Sequence, residues 1–132
     1  MINQDHYNLI GHLHRQREWS LQAFGPADGS GPVNMDSLLD HILKELREII
    51  DTHGEVLEEW IDLAILALDG AWRFGFEPAE IAAELQAKQQ KNERRQWPDW
   101  RTVPKGVAIE HIRVNGYDHD LVAEGLISEV PD

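Results

Sequence analysis

The sequence contains no cysteine. This absence excludes a disulfide framework, a thiolate metal site and a cysteine nucleophile. Any metal site in this chain must therefore do without sulfur ligands from cysteine.

Basic residues are scarce. Twelve Lys and Arg residues stand against 24 Asp and Glu residues, which gives a formal net charge of −12 at pH 7. A chain this acidic repels phosphate backbones and anionic headgroups, so we expect it to bind neither nucleic-acid polymers nor anionic membranes.

Long apolar runs are missing as well. No stretch approaches the length needed to cross a membrane, and the polar start MINQDHYN does not resemble a signal peptide. We therefore expect a cytoplasmic protein.

Sustained period-two alternation is also absent, which argues against β-strands. The 132 residues are 42% apolar, which is enough for one folded domain with a core. Glycine, proline and capping signals divide the chain into helical stretches and predict an all-α, four-helix-bundle-like architecture. The predicted helices span about residues 4–24, a second helix opened by a capping box of Ser37 with Asp40, about residues 55–74, and about residues 78–96.

Two pairs of carboxylates flank a predicted turn at residues 52–54: Glu45 with Glu48, and Glu59 with Asp62. The three-residue spacing places both members of a pair on one helix face. A glycine at position 54 can end one helix and reverse the chain, so that the four acids converge on an antiparallel helical hairpin. Such a patch repels itself unless a divalent cation neutralises it, and we therefore predict a metal site formed by these four acids.

A plain structural interpretation of these acids stays open: a solvated face, or ion pairs with Lys44, Arg47 and Arg73. Against it, residues 60–72 are nearly all apolar or small, which predicts a mostly buried third helix. A carboxylate buried there must be paired, metal-bound or protonated. On the second helix we expect a core stripe with Glu45 at its edge, made of Leu39, Ile42, Leu46, Ile49 and Ile50.

The few basic residues are concentrated, because six of the twelve fall between positions 88 and 105. Several share one face of the fourth helix, and the tryptophan-rich segment WPDW follows them. A solvated charged face explains this pattern as well as a polyphosphate grip does. In the functional interpretation the phosphate-binding residues are Lys88, Lys91, Asn92 and Arg95.

The acid pattern resembles the ExxE…ExxD metal motif of the all-α NTP pyrophosphohydrolases, the MazG and all-α dUTPase superfamily. Several blocks resemble, more narrowly, the phage and bacterial dATP/dGTP diphosphohydrolase family, which includes MazG-like enzymes of the MazZ type. These blocks are HLHRQREWSLQAFGP (12–26), DHILKELREI (40–49), EWIDLAILALDGAWRFG (59–75), KQQKNERRQWPDWRT (88–102) and AIEHIR (108–113).

This resemblance implies hydrolysis of a purine dNTP, dGTP or dATP, to dNMP and pyrophosphate by a homodimer or homotetramer. The resemblance covers about residues 12–113, and we expect a single domain over residues 1–113 with a C-terminal extension of unknown role over 114–132. MazZ-type members are associated with phages that place 2-aminoadenine in DNA, where dGMP is the precursor made. A phage-encoded chain would work in the host cytoplasm.

All-oxygen ligands select a hard cation, so the expected cofactor is Mg²⁺ or Mn²⁺, with two or more ions per site.

The first helix carries an unusual polar run, His12, His14, Arg15, Gln16 and Arg17. Within and after it, Arg17 and Trp19 are candidate substrate-binding residues; for Trp19, base stacking is implied by the resemblance. Core packing is an equally good explanation of Trp19.

Other classes of protein share parts of this pattern. A ferritin-like di-iron bundle requires Glu-x-x-His, and none of the seven histidines has Glu three residues earlier. A house-cleaning NTP pyrophosphatase of broader specificity stays open, and so does a non-enzymatic acidic helical protein that binds a partner. The apolar third helix favours an oligomer, unless residues 107–130 cover it in a monomer.

Overall fold

The structure is a computed structural model that describes residues 7–113. Within that range the chain is all-helical and has no strand, which confirms the predicted fold class. The four main helices are α1 (Leu9–Phe24), α2 (Met35–Asp51), α3 (Leu57–Arg73) and α4 (Pro78–Arg94), followed by a short 3-10 helix at Trp100–Thr102. The predicted extension at 114–132 lies outside the described residues.

Capping side chains set the helix starts. Asn8 caps α1, and its side chain accepts a hydrogen bond from the Gly11 amide at 2.8 Å. Helix α2 begins earlier than the sequence suggested, because Asn34 is the cap and Ser37 is its capping-box partner. The prediction of a box between Ser37 and Asp40 was therefore wrong: the Asn34 side-chain oxygen accepts from the Ser37 amide at 2.9 Å, and the Ser37 hydroxyl in turn accepts from the Asn34 amide.

The described residues form two compact units that divide after Glu84, within α4. In the first unit α3 packs against both α1 and α2. Its core cluster consists of Leu13 from α1, Trp72 from α3 and Ile81 from α4. Helix α3 is therefore the central element of this unit.

The second unit, from Leu85, is held by contacts around Trp97. Its indole Nε1 donates to the Asn92 carbonyl at 2.7 Å, and its ring meets His111 edge-on at a centroid distance of 6.0 Å. The Ile112 amide donates to the Gln96 carbonyl at 2.7 Å. These bonds fold the segment after α4 back on the end of that helix.

The predicted core stripe of α2 was wrong for three of its members. Leu39, Leu46 and Ile50 are 49%, 39% and 69% exposed. The buried face instead carries Leu38, Glu45 and Ile49. Two apolar stripes run along α2, and α3 covers only the one that contains Glu45.

The prediction that α3 is mostly buried also failed within the single chain. Trp60 and Ile61 are about half exposed, and the buried residues of α3 are Asp69, Trp72 and Arg73. None of the helices among residues 7–113 is long and apolar enough to cross a membrane.

Candidate metal centre and nucleotide site

Two residues in left-handed backbone conformations reverse the chain between α2 and α3. His53 and Gly54 have φ values of 56° and 71°, and glycine adopts such values without steric cost. The Gly54 amide donates to the Ile49 carbonyl at 2.9 Å, and the Trp60 indole donates to the Gly54 carbonyl at 3.0 Å. The reversal predicted from Gly54 is therefore present and forms a helical hairpin.

The four predicted acids come together on this hairpin. One carboxylate oxygen from each of Glu45, Glu48, Glu59 and Asp62 lies within 4.8 Å of the others. Glu45 is buried, Glu59 and Asp62 are half-buried, and Glu48 is exposed. We call these four residues the acid cluster.

Crowding raises the pKa of two of these carboxyls. A hydrogen bond with Glu48 raises the pKa of Glu59 to about 7, and burial and the charges of Glu48, Asp62 and Glu45 add to the shift. Burial is the main cause that raises the pKa of Glu45, followed by its hydrogen bond with Glu48, whereas His41 acts in the opposite direction. Bound protons or a cation would relieve this mutual repulsion.

Two carboxylate oxygens of the cluster lack a hydrogen-bond donor. Glu45 Oε2 and Glu59 Oε2 are both buried and have no partner. A buried acceptor left unsatisfied costs free energy, so such atoms in a native site call for a ligand. Four clustered carboxylates suit a hard divalent cation, and the acid cluster can therefore bind metal ions.

Two of the basic residues that the plain structural interpretation paired with the acid cluster form ion pairs with other acids. Lys44 pairs with Asp40 at 3.1 Å, and Arg73 pairs with Asp69 at 3.3 Å. Next to the cluster, His41 Nε2 lies 3.3 Å from Glu45 Oε1. Lys44 and Arg73 therefore do not neutralise the cluster.

A second polar group, which the sequence interpretation missed, surrounds Asp69 inside the first unit. Asp69 accepts hydrogen bonds from Ser20 Oγ at 2.7 Å, Trp72 Nε1 at 2.7 Å and Gln16 Nε2 at 3.0 Å. Arg73 completes the group, because it also donates to the Ser20 carbonyl at 3.2 Å. These bonds fix α1 against α3.

A sequence signal for this group existed. Asp69 follows Asp62 by seven residues, so both lie on one face of α3, and Arg73 follows Asp69 by four. An acid inside an apolar run with a basic residue one turn later indicates a buried pair. Its partners on α1 could not be read from sequence, because they depend on how the two helices pack.

The predicted substrate-binding residues occupy different parts of the chain. Arg17, half-buried on α1, donates to Glu77 at 3.0 Å, and Trp19 is 56% exposed. The basic face of α4 belongs to the second unit, where Arg95 Nη1 donates to Asn92 Oδ1 at 3.4 Å. Lys88 is exposed and Lys91 is half-buried in that unit. For all six residues substrate binding stays a prediction.

Comparison with known families gives the acid cluster its context. A family model described as dATP/dGTP pyrophosphohydrolase matches residues 12–115. Comparison with curated proteins and with solved structures gave no match. The matched stretch contains the acid cluster and the Asp69 group, and it covers most of the 132 residues. The chain therefore belongs to the dATP/dGTP pyrophosphohydrolase family and is a nucleoside triphosphate diphosphohydrolase.

Proposed function

We propose that this enzyme hydrolyses dGTP in preference to dATP, in a reaction that depends on Mg²⁺ or Mn²⁺ held by the acid cluster. The observation that carries the proposal is the convergence of four carboxylates, two of them with buried oxygens that no donor satisfies. Glu45, Glu48, Glu59 and Asp62 are the proposed ligands of two or more ions. When bound, these ions supply positive charge to the phosphates and acidify a water molecule.

In the proposed reaction a water oxygen attacks the α-phosphorus and the bond from that phosphorus to the bridging oxygen breaks. Pyrophosphate leaves, and dGMP is the other product. The acid cluster orients the attacking water and accepts its proton, so the reaction needs no Ser, Cys or His nucleophile. All four acids are in this sense the proposed catalytic residues.

The basic face of α4 is the proposed partner of the β- and γ-phosphates. Lys88, Lys91 and Arg95 supply the charge, and Asn92 reaches phosphate or sugar. On α1, Arg17 is proposed to contribute to substrate binding and Trp19 to stack on the purine. The exposure of the Trp19 ring supports this role, because a stacking face must be open to the ligand.

We also propose a homodimer or homotetramer. An exposed apolar stripe on α2, defined by Leu39, Leu43, Leu46 and Ile50, supports it, since each of these side chains is at least 39% exposed. They repeat at helical spacing on the face that α3 does not cover. Contiguous apolar surface of this kind marks an interface in soluble proteins.

The proposed biological role is to supply dGMP for the synthesis of 2-aminoadenine nucleotides in a phage. A panel of ribo- and deoxynucleoside triphosphates, each with Mg²⁺ and with Mn²⁺, tests the activity when pyrophosphate and orthophosphate are measured separately. The proposal predicts pyrophosphate release that is fastest with dGTP. Comparable rates with pyrimidine and purine substrates would instead indicate a house-cleaning enzyme of broad specificity.

A further inference from the structure

A cavity of about 290 Å³ opens between α1 and α3 in the first unit. It is lined by Tyr7, His12, Arg15, Gln16, Trp19 and Ile65. Ile65 follows Asp62 by three residues on α3, a rise of about 4.5 Å along the helix axis, so a residue of the cavity wall lies one turn from a residue of the acid cluster. A nucleotide with its phosphates at the acid cluster can therefore place its base in this cavity.

The hydrogen bonds of one cavity wall are already committed. Gln16 Nε2 donates to the Ile65 carbonyl at 2.8 Å and to Asp69 Oδ1 at 3.0 Å, which uses both amide hydrogens. Gln16 Oε1 must then accept, and it takes its hydrogen from His12 Nε2 at 2.8 Å. In the neutral imidazole, Nδ1 is left as an acceptor, and it bonds to the Tyr7 hydroxyl. These residues shape the wall and keep few hydrogens for a ligand.

Arg15 differs from its neighbours in this cavity. It is exposed, and within residues 7–113 no hydrogen bond or ion pair engages its guanidinium. The nearby Arg17, by contrast, donates to Glu77 at 3.0 Å. The planar guanidinium of Arg15 thus offers a fork of hydrogen-bond donors that no acceptor within residues 7–113 engages.

Trp19 supplies the flat surface of the cavity. Its ring meets Phe24 edge-on at a centroid distance of 5.3 Å and stays 56% exposed. On α1 Trp19 lies four residues after Arg15, so the two side chains are neighbours on one helix face. An aromatic face beside a donor fork is suited to a base that presents two acceptors on one edge.

We infer that Arg15 is the residue that selects guanine over adenine, by donating to O6 and N7 of the base. Guanine presents two acceptors on that edge, whereas adenine presents N7 beside the N6 amino group, which is a donor. The guanidinium of Arg15 only donates hydrogen bonds. It can therefore make two of them with guanine, whereas on adenine one of its donors would face the N6 amino group, which is also a donor. This inference rests on the proposed function, because it assigns the base subsite of the same reaction.

The kinetic test compares kcat/KM for dGTP and dATP in Arg15→Ala and Arg15→Lys. A bidentate contact of this kind discriminates by about 10- to 100-fold, so the dGTP-to-dATP ratio should fall by that factor in Arg15→Ala. Arg15→Lys keeps the charge but loses the fork, and its ratio should also fall. Arg47→Ala, which removes an exposed arginine of α2, is the matched control and should leave the ratio unchanged.

A substrate analogue locates the contact on the base. Replacing N7 of dGTP with CH, in 7-deaza-dGTP, should lower kcat/KM for the wild type and have no effect on Arg15→Ala. Equal loss in both proteins would mean that Arg15 does not read N7. An unchanged dGTP-to-dATP ratio in Arg15→Ala, with pyrophosphate still released, overturns the inference and leaves the proposed function standing.

Calorimetric binding of dGMP and dAMP tests the assignment of the base contact to Arg15 independently of the proposed hydrolysis. Wild-type protein should prefer dGMP, and Arg15→Ala should lose that preference whether or not turnover occurs. Absence of any triphosphate hydrolysis, with this preference intact and dependent on Arg15, would remove the proposed reaction but keep the base assignment. Equal affinities for dGMP and dAMP in the wild type would overturn the assignment.

Discussion

Glu48 and Glu59 share a hydrogen bond across the α2–α3 hairpin, and this bond is the main cause that raises the pKa of Glu59 to about 7. The two carboxyls belong to neighbouring helices and approach only because the chain reverses at His53 and Gly54. Without a cation, the Glu59 carboxyl therefore keeps its proton to a higher pH than a free glutamate does. The four acids of the hairpin therefore repel one another, and a bound cation would relieve that repulsion.

The metal-free protein should lose stability as pH rises from about 4.5 to about 7. In this range the Glu59 carboxyl holds its proton in the folded state but has lost it in the unfolded state. The unfolded state therefore binds fewer protons than the folded state, and the free energy of unfolding falls as pH rises. The raised pKa of Glu45 acts in the same direction.

Urea denaturation with chelator across pH 5–8 measures this dependence. Glu59→Gln removes the titrating group and should flatten the curve. A wild-type free energy of unfolding that rises steadily over the same range, with no flattening in Glu59→Gln, would contradict the assignment of the shifted pKa.

Neutralising an acid of the cluster should abolish turnover and stabilise the metal-free protein. Glu48→Gln or Asp62→Asn removes a proposed ligand, and each should lower kcat on the order of 10³-fold or more, with a double variant hardly worse because the residues act as a unit. The same changes remove repulsion, so the Tm in chelator should rise.

Glu58→Gln is the matched control, since Glu58 is exposed on the same turn of α3 and lies outside the cluster. It should keep its activity, and Mn²⁺ should raise its Tm as much as we expect it to raise that of the wild type. Full activity in Glu48→Gln or Asp62→Asn would refute the assignment of the ligands.

The Asp69 group should dominate the stability of the first unit. Asp69→Asn leaves Arg73 buried without its carboxylate, and removal of one partner from a buried pair costs about 3–5 kcal/mol. Asp40→Asn breaks the exposed pair with Lys44 and should cost about 0–1 kcal/mol. Urea denaturation of the two variants measures the difference, and equal costs would mean that the Asp69 group does not hold α1 to α3.

A charge in the exposed stripe of α2 should disrupt the oligomer. Leu43 is 53% exposed in the single chain, and Leu43→Glu would bury a carboxylate in the proposed interface. Lys44→Glu places the same side chain one position away, on a polar face, and should leave assembly intact. Sedimentation velocity reads the outcome: a wild-type mass of 15.1 kDa at micromolar concentration, with full activity, would mean that the monomer is the working form.

The acid cluster could be predicted from sequence because its geometry depends only on local rules. Helical spacing fixes each doublet, and Gly54 fixes the reversal that brings them level. The buried face of α2 could not be predicted in the same way. Leu38 and Leu39 belong to adjacent apolar stripes, and only the position of α3 decides which of the two is covered.

The Asp69 group and the cavity at Arg15 needed the tertiary structure for the same reason. Gln16 and Ser20 lie 53 and 49 residues before Asp69 in the chain, so no local pattern links them to it. From the sequence, Arg17 is the candidate substrate-binding arginine of α1. In the structure Arg17 donates to Glu77, and it is Arg15 that lines the cavity. Two residues that are two positions apart on a helix point to different faces. Periodicity alone could not decide whether Arg15 or Arg17 faces the cavity.

The central claim is that the acid cluster hydrolyses the bond between the α- and β-phosphates of dGTP. Phosphorus-31 NMR of dGTP turnover with Mg²⁺ or Mn²⁺, run in parallel on the wild type and on Asp62→Asn, tests it most directly. The account predicts resonances of dGMP and pyrophosphate in equal amounts, with no dGDP, and no turnover in Asp62→Asn. Orthophosphate and dGDP as the first products of the pure protein, or undiminished turnover in Asp62→Asn, would contradict it.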